Sequence, residues 1–141
     1  MAFDAREFRD LADWLVNNRN NEASLRTAIS RMYYAAHLLA RDFLITKRKW
    51  SPTGRGADHG SVIHELRRGP TSQISFKLAE LRRLREHADY HLEATDTELN
   101  RECQECQKVR GSAGETPVVN ANHWDNVQEL SQAIFPQLDR L

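Results

Sequence analysis

The sequence predicts an all-α domain, an up-and-down bundle of five to six helices. Apolar residues recur three and four positions apart in several long stretches, which is the period of an amphipathic helix. Segments rich in Gly, Pro and Asn separate these stretches, and the one short strand candidate is Thr116 to Asn120. At 141 residues, the chain is expected to form a single domain over residues 1–141.

The composition is that of a globular chain, with 40% hydrophobic and 28% charged residues. No apolar run approaches the roughly 18 residues that cross a bilayer, so we expect no membrane association. The opening segment MAFDAREFRD is too acidic and polar for a signal peptide, and we expect a cytoplasmic protein. Cys103 and Cys106 form one isolated CxxC pair, interpreted as two reduced thiols, with a zinc half-site or a redox pair as alternatives.

The formal net charge is zero, but the charges are unevenly distributed along the chain. Between Arg26 and Arg85 there are 13 Lys or Arg against 4 Asp or Glu, and the acidic excess follows this segment. Two interpretations fit this pattern. Antiparallel helices of opposite charge could complement each other, or the basic middle could present a phosphate-binding face.

Capping residues and apolar faces define the first two helices. Asp4 can cap the first helix, with Glu7 completing a capping box. Its buried face is expected to hold four residues, Phe8, Leu11, Ala12 and Leu15. The polar run Asn17 to Asn21 can cap the second helix, which runs from Glu22 to about Thr46. That helix is apolar or small on nearly every side, so we expect it to be central and to leave a face for self-association.

A basic loop, residues 47–58, is predicted next. It contains one aromatic residue, Trp50, and four basic residues, Lys47, Arg48, Lys49 and Arg55. Such a loop could contact a nucleic-acid backbone and stack on a base. The alternative is a solvated connector with a half-buried Trp50. Asp58 is then expected to cap a short helix from Ser61 to Arg68, which Gly69 and Pro70 end.

We expect function to be organised around LRRLREHADYHL, Leu81 to Leu92, in a helix that starts at Thr71 or Ser72. At about 100° per residue, Arg85 and His91 fall on opposite edges of one apolar stripe, partly sheltered from water. That stripe holds Leu78, Leu81, Leu84, Ala88 and Leu92. Asp89 can pair with Arg85 four residues earlier, and His87 has the same spacing to His91. The alternative is an ordinary amphipathic helix with a solvated charged edge.

The remainder of the chain predicts two helices and a loop. Thr95 to Glu98 is a capping signature that opens a helix to about Lys108. Residues 109–122 are expected to form a loop because of their Gly, Pro and Asn content. A last helix, His123 to about Leu141, should close the bundle with six apolar residues, Trp124, Val127, Leu130, Ile134, Leu138 and Leu141.

Two segments, ISRMYYAAHLLARDFL and LRRLREHADYHL, with DHGSVI between them, together resemble the HEPN family of small helical-bundle proteins. The resemblance covers about Ala23 to Leu92, half of the chain. It implies a bundle of about five helices that pairs as a homodimer. In many members it also implies a metal-independent endoribonuclease with an Arg-x4–6-His motif, which Arg85 and His91 satisfy.

The chemistry of these residue types agrees with that activity. Cleavage of RNA without metal needs an acid or base near neutral pH and a fixed cation for the charge that grows on the phosphoryl oxygens. We expect Arg85 and His91 of two copies to line one shared groove, because one of each is too few. Asp89, Tyr90 and His87 are expected to support them. RNA-binding candidates are Arg82, Arg83 and the basic residues of the 47–58 loop, and we expect no metal ligand or cofactor.

The resemblance further implies the toxin of a toxin–antitoxin or phage-defence system, with an antitoxin partner such as a nucleotidyltransferase-like protein. A second hypothesis is an inactive HEPN module that binds a nucleotide, nucleic acid or a partner protein. Glu86 favours it, since catalytic members usually have Asn, Asp or His directly after the Arg. A third is a metal site that uses His87, His91 and Cys103 or Cys106.

Overall fold

The computed structural model of the chain describes residues 2–92 and 119–141. Within these two ranges, five α-helices pack together and there is no strand. They are α1 (Arg6–Asn18), α2 (Glu22–Arg48), α3 (Asp58–Leu66), α4 (Ser72–Tyr90) and α5 (Ala121–Asp139). The prediction of an all-helical fold is confirmed for the residues in these two ranges. The predicted helix from Thr95 to Lys108, both cysteines and most of the 109–122 loop lie outside the described residues.

Helix α2 is the centre of the bundle, as the sequence predicted. It packs against each of the other four helices. Its small residues let those helices approach, since Ala28, Ser30, Ala35 and Ala36 are all buried. The side chain of Asn21 caps its start by accepting a hydrogen bond from the Ser24 amide at 2.8 Å.

Helix α1 differs from its prediction in two details. The Asp4 carboxylate accepts from the Arg6 amide at 3.0 Å, but the cap position is Ala5 and carries no side-chain cap, so the capping box with Glu7 is wrong. Leu11 is 44% exposed instead of buried. Because α1 packs chiefly against one helix, α2, its buried face is narrower than the apolar pattern suggested.

Helix α3 begins earlier than predicted, at Asp58 itself. The Asp58 carboxylate does not cap the helix; it accepts hydrogen bonds from the Thr53 hydroxyl and amide and from the Gly54 amide, at 2.7–2.9 Å. Asp58 therefore orders the loop that precedes the helix. The helix ends at Leu66, and a short 3-10 turn, Gly69–Thr71, leads into α4.

Helix α5 closes the bundle against α2 and α4. Asn120 caps it in a capping box with His123, which places its start two residues before the predicted one. Trp124, Val127, Ile134 and Leu138 are buried as predicted, whereas Leu141 lies beyond the helix end and is 40% exposed. No helix among the described residues is both long and apolar enough to span a bilayer.

Candidate functional site

The C-terminal end of α4 sets the position of His91. The predicted helix to Leu92 is too long, because α4 ends at Tyr90 and His91 is its cap residue with φ −96° and ψ 84°. His91 is buried, and Leu92 is 59% exposed instead of part of the apolar stripe. The ideal helical angle between Arg85 and His91 holds only approximately, because the backbone leaves the helix at His91, whose amide still donates to the His87 carbonyl at 3.2 Å.

Arg26, on α2, satisfies the carbonyl groups that this helix end leaves open. Its Nη1 donates to the carbonyl oxygens of His87, Ala88 and His91 at 3.3, 2.8 and 3.3 Å. It also forms an ion pair with Glu22 at 2.9 Å. A cation at the carbonyl end of a helix is favourable for the helix dipole as well. Arg26 is thus a structural arginine whose guanidinium is committed to the fold.

Arg85 contrasts with Arg26, although both are arginines in the interior. Its side chain is only 7% exposed, yet its guanidinium contacts rings instead of carbonyl groups. The Cζ atom lies 5.0, 5.7 and 5.8 Å from the ring centroids of Tyr33, Tyr34 and Tyr90. Its Nε is buried and has no hydrogen-bond acceptor among the described residues. Arg85 therefore keeps donor capacity that the fold does not use.

The predicted pairing of Arg85 with Asp89 is confirmed. Nη1 of Arg85 lies 3.8 Å from Oδ2 of Asp89, which is an ion pair too long for a good hydrogen bond. The same oxygen accepts from the Ser30 hydroxyl at 3.2 Å. Burial raises the pKa of Asp89, and the Ser30 hydrogen bond and Arg85 offset part of this rise. Asp89 thus holds Arg85 from one side without saturating it.

Four aromatic and imidazole side chains, Tyr33, Tyr34, His37 and His59, meet beside Arg85 and are called here the tyrosine–histidine cluster. The Tyr33 hydroxyl and Nδ1 of His59 are 2.7 Å apart. The rings of His37 and His59 stack with centroids 4.3 Å apart, and His37 also stacks on Tyr33 at 5.6 Å. Sequence reasoning missed this cluster, because His59 lies on α3 and the other three residues lie on α2, and no local spacing relates the two helices.

Burial fixes the charge states of this cluster. It lowers the pKa of His37 to about 3, with His59 and nearby arginines adding to the effect. Burial also raises the pKa of Tyr33 to about 12. The pKa of His59 is lowered by burial first and then by the charges of Arg85 and Arg82. Both imidazoles and the phenol are therefore predominantly neutral at pH 7.

A basic groove of roughly 570 Å³ runs between α3 and α4, next to this cluster. Arg67, Arg82 and Arg83 line it together with one acid, Glu86. Nε of Arg82 lies 3.2 Å from Glu86 in an ion pair, and Nη1 of Arg82 approaches Gly60, 3.5 Å from where a Cβ on that glycine would stand. Arg82 therefore reaches from α4 to the surface of α3, one residue from His59.

His87 and His91 contact each other at the C-terminal end of α4. Their rings meet edge to face at 5.6 Å, and His87 stacks on His123 of α5 at 5.5 Å. His87 is almost completely buried, so a direct substrate contact by its ring would need the surrounding residues to move. In the ranges 2–92 and 119–141, no group of three or more His, Cys, Asp or Glu side chains is arranged to hold a metal ion.

The predicted basic loop, residues 47–58, is too long at both ends, because α2 continues to Arg48 and α3 begins at Asp58. Lys47 and Arg48 therefore belong to α2. The guanidinium of Arg48 donates to the carbonyl groups of Glu65 and Arg68 and to the Thr71 hydroxyl, at 2.7–3.1 Å, and so braces the loop region. Trp50 is partly buried against the core, as in the connector interpretation. The three remaining basic residues, Lys47, Lys49 and Arg55, are exposed.

No protein-family model matches this chain, and none of the curated proteins or solved structures does either.

Proposed function

We propose that this chain is a metal-independent endoribonuclease of the HEPN type, acting as the toxin of a toxin–antitoxin or phage-defence pair. Its substrate is RNA, and its products are a 2′,3′-cyclic phosphate and a 5′-hydroxyl. An antitoxin, such as a nucleotidyltransferase-like protein, restrains it in the cytoplasm.

The observation that carries the proposal is the state of Arg85. Burying a cation is costly unless its charge and its hydrogen-bond donors are satisfied. Arg85 is buried beside three tyrosine rings, with one ion pair at 3.8 Å and a buried Nε that lacks an acceptor in the described ranges. A phosphate group, which accepts two parallel hydrogen bonds from a guanidinium, would supply what the site lacks.

The surrounding residues agree with a nucleotide ligand. Tyr90 is exposed at the same guanidinium and can stack on a base. Arg82, Arg83 and Arg67 extend the positive charge along the groove between α3 and α4, where a phosphate backbone can follow. Lys47, Lys49 and Arg55 remain candidate contacts for more distant phosphates.

The reaction needs few groups once the phosphate is held. The 2′-oxygen loses its proton to an imidazole and forms a bond to phosphorus, while the bond from phosphorus to the 5′-oxygen breaks. Arg85 stabilises the negative charge that grows on the phosphoryl oxygens. The 5′-oxygen takes a proton from an imidazolium on the opposite side, which pairing of two copies supplies in this proposal.

The test is cleavage of RNA by the purified protein in EDTA. We expect cleavage to persist without metal, to leave 2′,3′-cyclic phosphate ends, and to fall at least 100-fold in Arg85→Ala. His91→Ala tests the imidazole that the sequence motif selects, with the dimer and the fold checked by sedimentation and circular dichroism. Cleavage that requires added metal, or that Arg85→Ala leaves intact, would refute the assignment.

A second candidate function is an inactive module that binds RNA or a nucleotide without cutting it. One observation favours it: the His91 ring packs at the end of α4 against the ring of His87, which is itself buried. It predicts salt-sensitive binding with intact RNA recovered, and binding that Arg85→Ala still weakens.

A further inference from the structure

Arg85 and His59 contact the same two tyrosine rings. Cζ of Arg85 lies 5.0 Å from the Tyr33 centroid and 5.7 Å from that of Tyr34. The His59 ring lies 5.7 Å from each of these centroids. Helix α3 thus brings an imidazole to the guanidinium from a different part of the chain than the sequence motif does.

Tyr33 orients this imidazole. Its hydroxyl is 2.7 Å from Nδ1 of His59, so that ring nitrogen is already engaged and Nε2 is the one that can meet a ligand. When Nδ1 carries the proton and donates to the phenol oxygen, Nε2 has a free lone pair. Tyr33 is fully buried and cannot turn away, whereas His59 is partly exposed and can be reached.

His59 also has the charge state of a general base. Burial and the two arginines lower its pKa, so the neutral ring dominates at pH 7. His37 has an even lower pKa, but its ring stacks on those of Tyr33 and His59, and His59 is the more exposed of the two imidazoles. The titratable and charged groups that face His59 are Tyr33, Tyr34 and His37 on α2, Asp58 on α3, and Arg82, Arg85 and Glu86 on α4.

We propose that His59 is the imidazole that works with Arg85, and that it accepts the 2′-hydroxyl proton of an RNA whose phosphate is bound by Arg85. Tyr33 is its positioning residue. This inference rests on the proposed function, and it replaces His91 by His59 as the base. The 2′-hydroxyl proton passes to Nε2 of His59, and the 2′-oxygen bonds to phosphorus. The bond from phosphorus to the 5′-oxygen breaks, and the 5′-oxygen takes a proton from the imidazolium that the second copy of the chain supplies in the proposed function.

The direct test is nuclear magnetic resonance of the histidine rings in the wild-type protein, with a 2′-O-methyl oligonucleotide that cannot be cleaved. Binding should shift the ring signals of His59 and raise its pKa, because a phosphate anion favours the charged imidazole. The other five of the six histidines provide internal controls. A response of the His91 ring with His59 unchanged, or no response of any ring at saturation, would overturn the inference.

Cleavage kinetics of variants give the second measurement. His59→Asn should lower kcat by 100-fold or more. Tyr33→Phe, which removes only the hydroxyl, should lower kcat less and shift the acidic limb of the pH profile while KM stays unchanged. Circular dichroism and urea unfolding establish that each variant is folded. Full cleavage by folded His59→Asn would overturn the inference and leave the nuclease proposal intact.

The two proposals fail in different ways. If the wild type binds the oligonucleotide at His59 but cuts no RNA, the nuclease proposal is refuted together with the proton transfer, and only the binding site remains. If the wild type cuts RNA and the ring signals of His59 do not shift when the oligonucleotide binds, the nuclease proposal stands and His59 is not its base.

Discussion

Replacing each of the two interior arginines by Met separates a structural guanidinium from one that is kept for a ligand. Arg26→Met removes hydrogen bonds from a cation to three carbonyl groups and the ion pair to Glu22. One nitrogen can satisfy about two acceptors fully, and each such bond contributes about 1.5 kcal/mol or more. We therefore expect a loss of about 3 kcal/mol in the free energy of unfolding, or roughly 10 °C in Tm.

Arg85→Met should cost far less, although this side chain is the more buried of the two. It loses contacts to three rings, worth about 0.5–1 kcal/mol each. It gains about 1–3 kcal/mol by removing a buried donor that lacks an acceptor. Asp89 keeps its hydrogen bond from Ser30 and its electrostatic attraction to Arg31, although it loses the Arg85 charge that lowers its pKa. The net change should stay within about 1 kcal/mol.

The assay is urea unfolding followed by circular dichroism, with both variants and the wild type measured in the same buffer. The informative quantity is the difference between the two variants, expected to be about 2 kcal/mol or more. If Arg85→Met destabilises the protein as much as Arg26→Met does, then Arg85 is a structural residue. Its guanidinium would then be needed for the fold and would not be available to bind a phosphate.

Three further predictions follow from the same geometry. Arg82→Ala should reduce by about 0.7 the magnitude of the slope of the logarithm of the binding constant for single-stranded RNA against the logarithm of salt concentration. Arg19 is exposed and distant from Arg82 in sequence, so Arg19→Ala should leave this slope unchanged. Fluorescence anisotropy measures binding of both variants. His37→Asn should flatten the acid side of the stability curve, and the exposed His64→Asn should not. The folded pKa of His37, about 3, lies below its ordinary 6.5, so this group costs stability as pH falls from 6.5 towards 3, by up to about 1.4 kcal/mol per pH unit; urea unfolding at several pH values measures it. Sedimentation should give a dimer with a mass near twice the monomer mass of 16.3 kDa. If the protein is a monomer at micromolar concentration, the prediction of a groove shared by two copies is wrong.

Periodicity predicted the parts of this fold that depend on burial alone. The helices, the central position of α2 and the buried residues Leu78, Leu81, Leu84 and Ala88 follow from apolar spacing within one helix. Apart from Leu11 in the middle of α1, the errors in predicted burial fall at helix ends, where spacing carries little information. Leu92 and Leu141 are apolar, in phase and exposed, because the helix stops before each of them.

The candidate site shows the same division between local and long-range information. The pair of Arg85 and Asp89 was predictable because both residues lie on α4, four positions apart. The contact of His59 with Tyr33 joins residues 26 positions apart, on helices that meet only in the folded chain. A single sequence holds no periodic signal for such a contact.

The spacing between Arg85 and His91 in the motif predicts the relative positions of their side chains only if the helix continues through both residues. At His91 the backbone departs from helical geometry, and Arg26 holds the released carbonyl groups in place. The imidazole that the motif selects packs against His87, and the Tyr33 ring that Arg85 contacts is also contacted by His59. Catalysis depends on where the imidazole lies relative to Arg85 in the folded protein, and its spacing from Arg85 along the chain does not fix that position. Comparison of His59→Asn with His91→Ala therefore tests whether the motif or the geometry identifies the base.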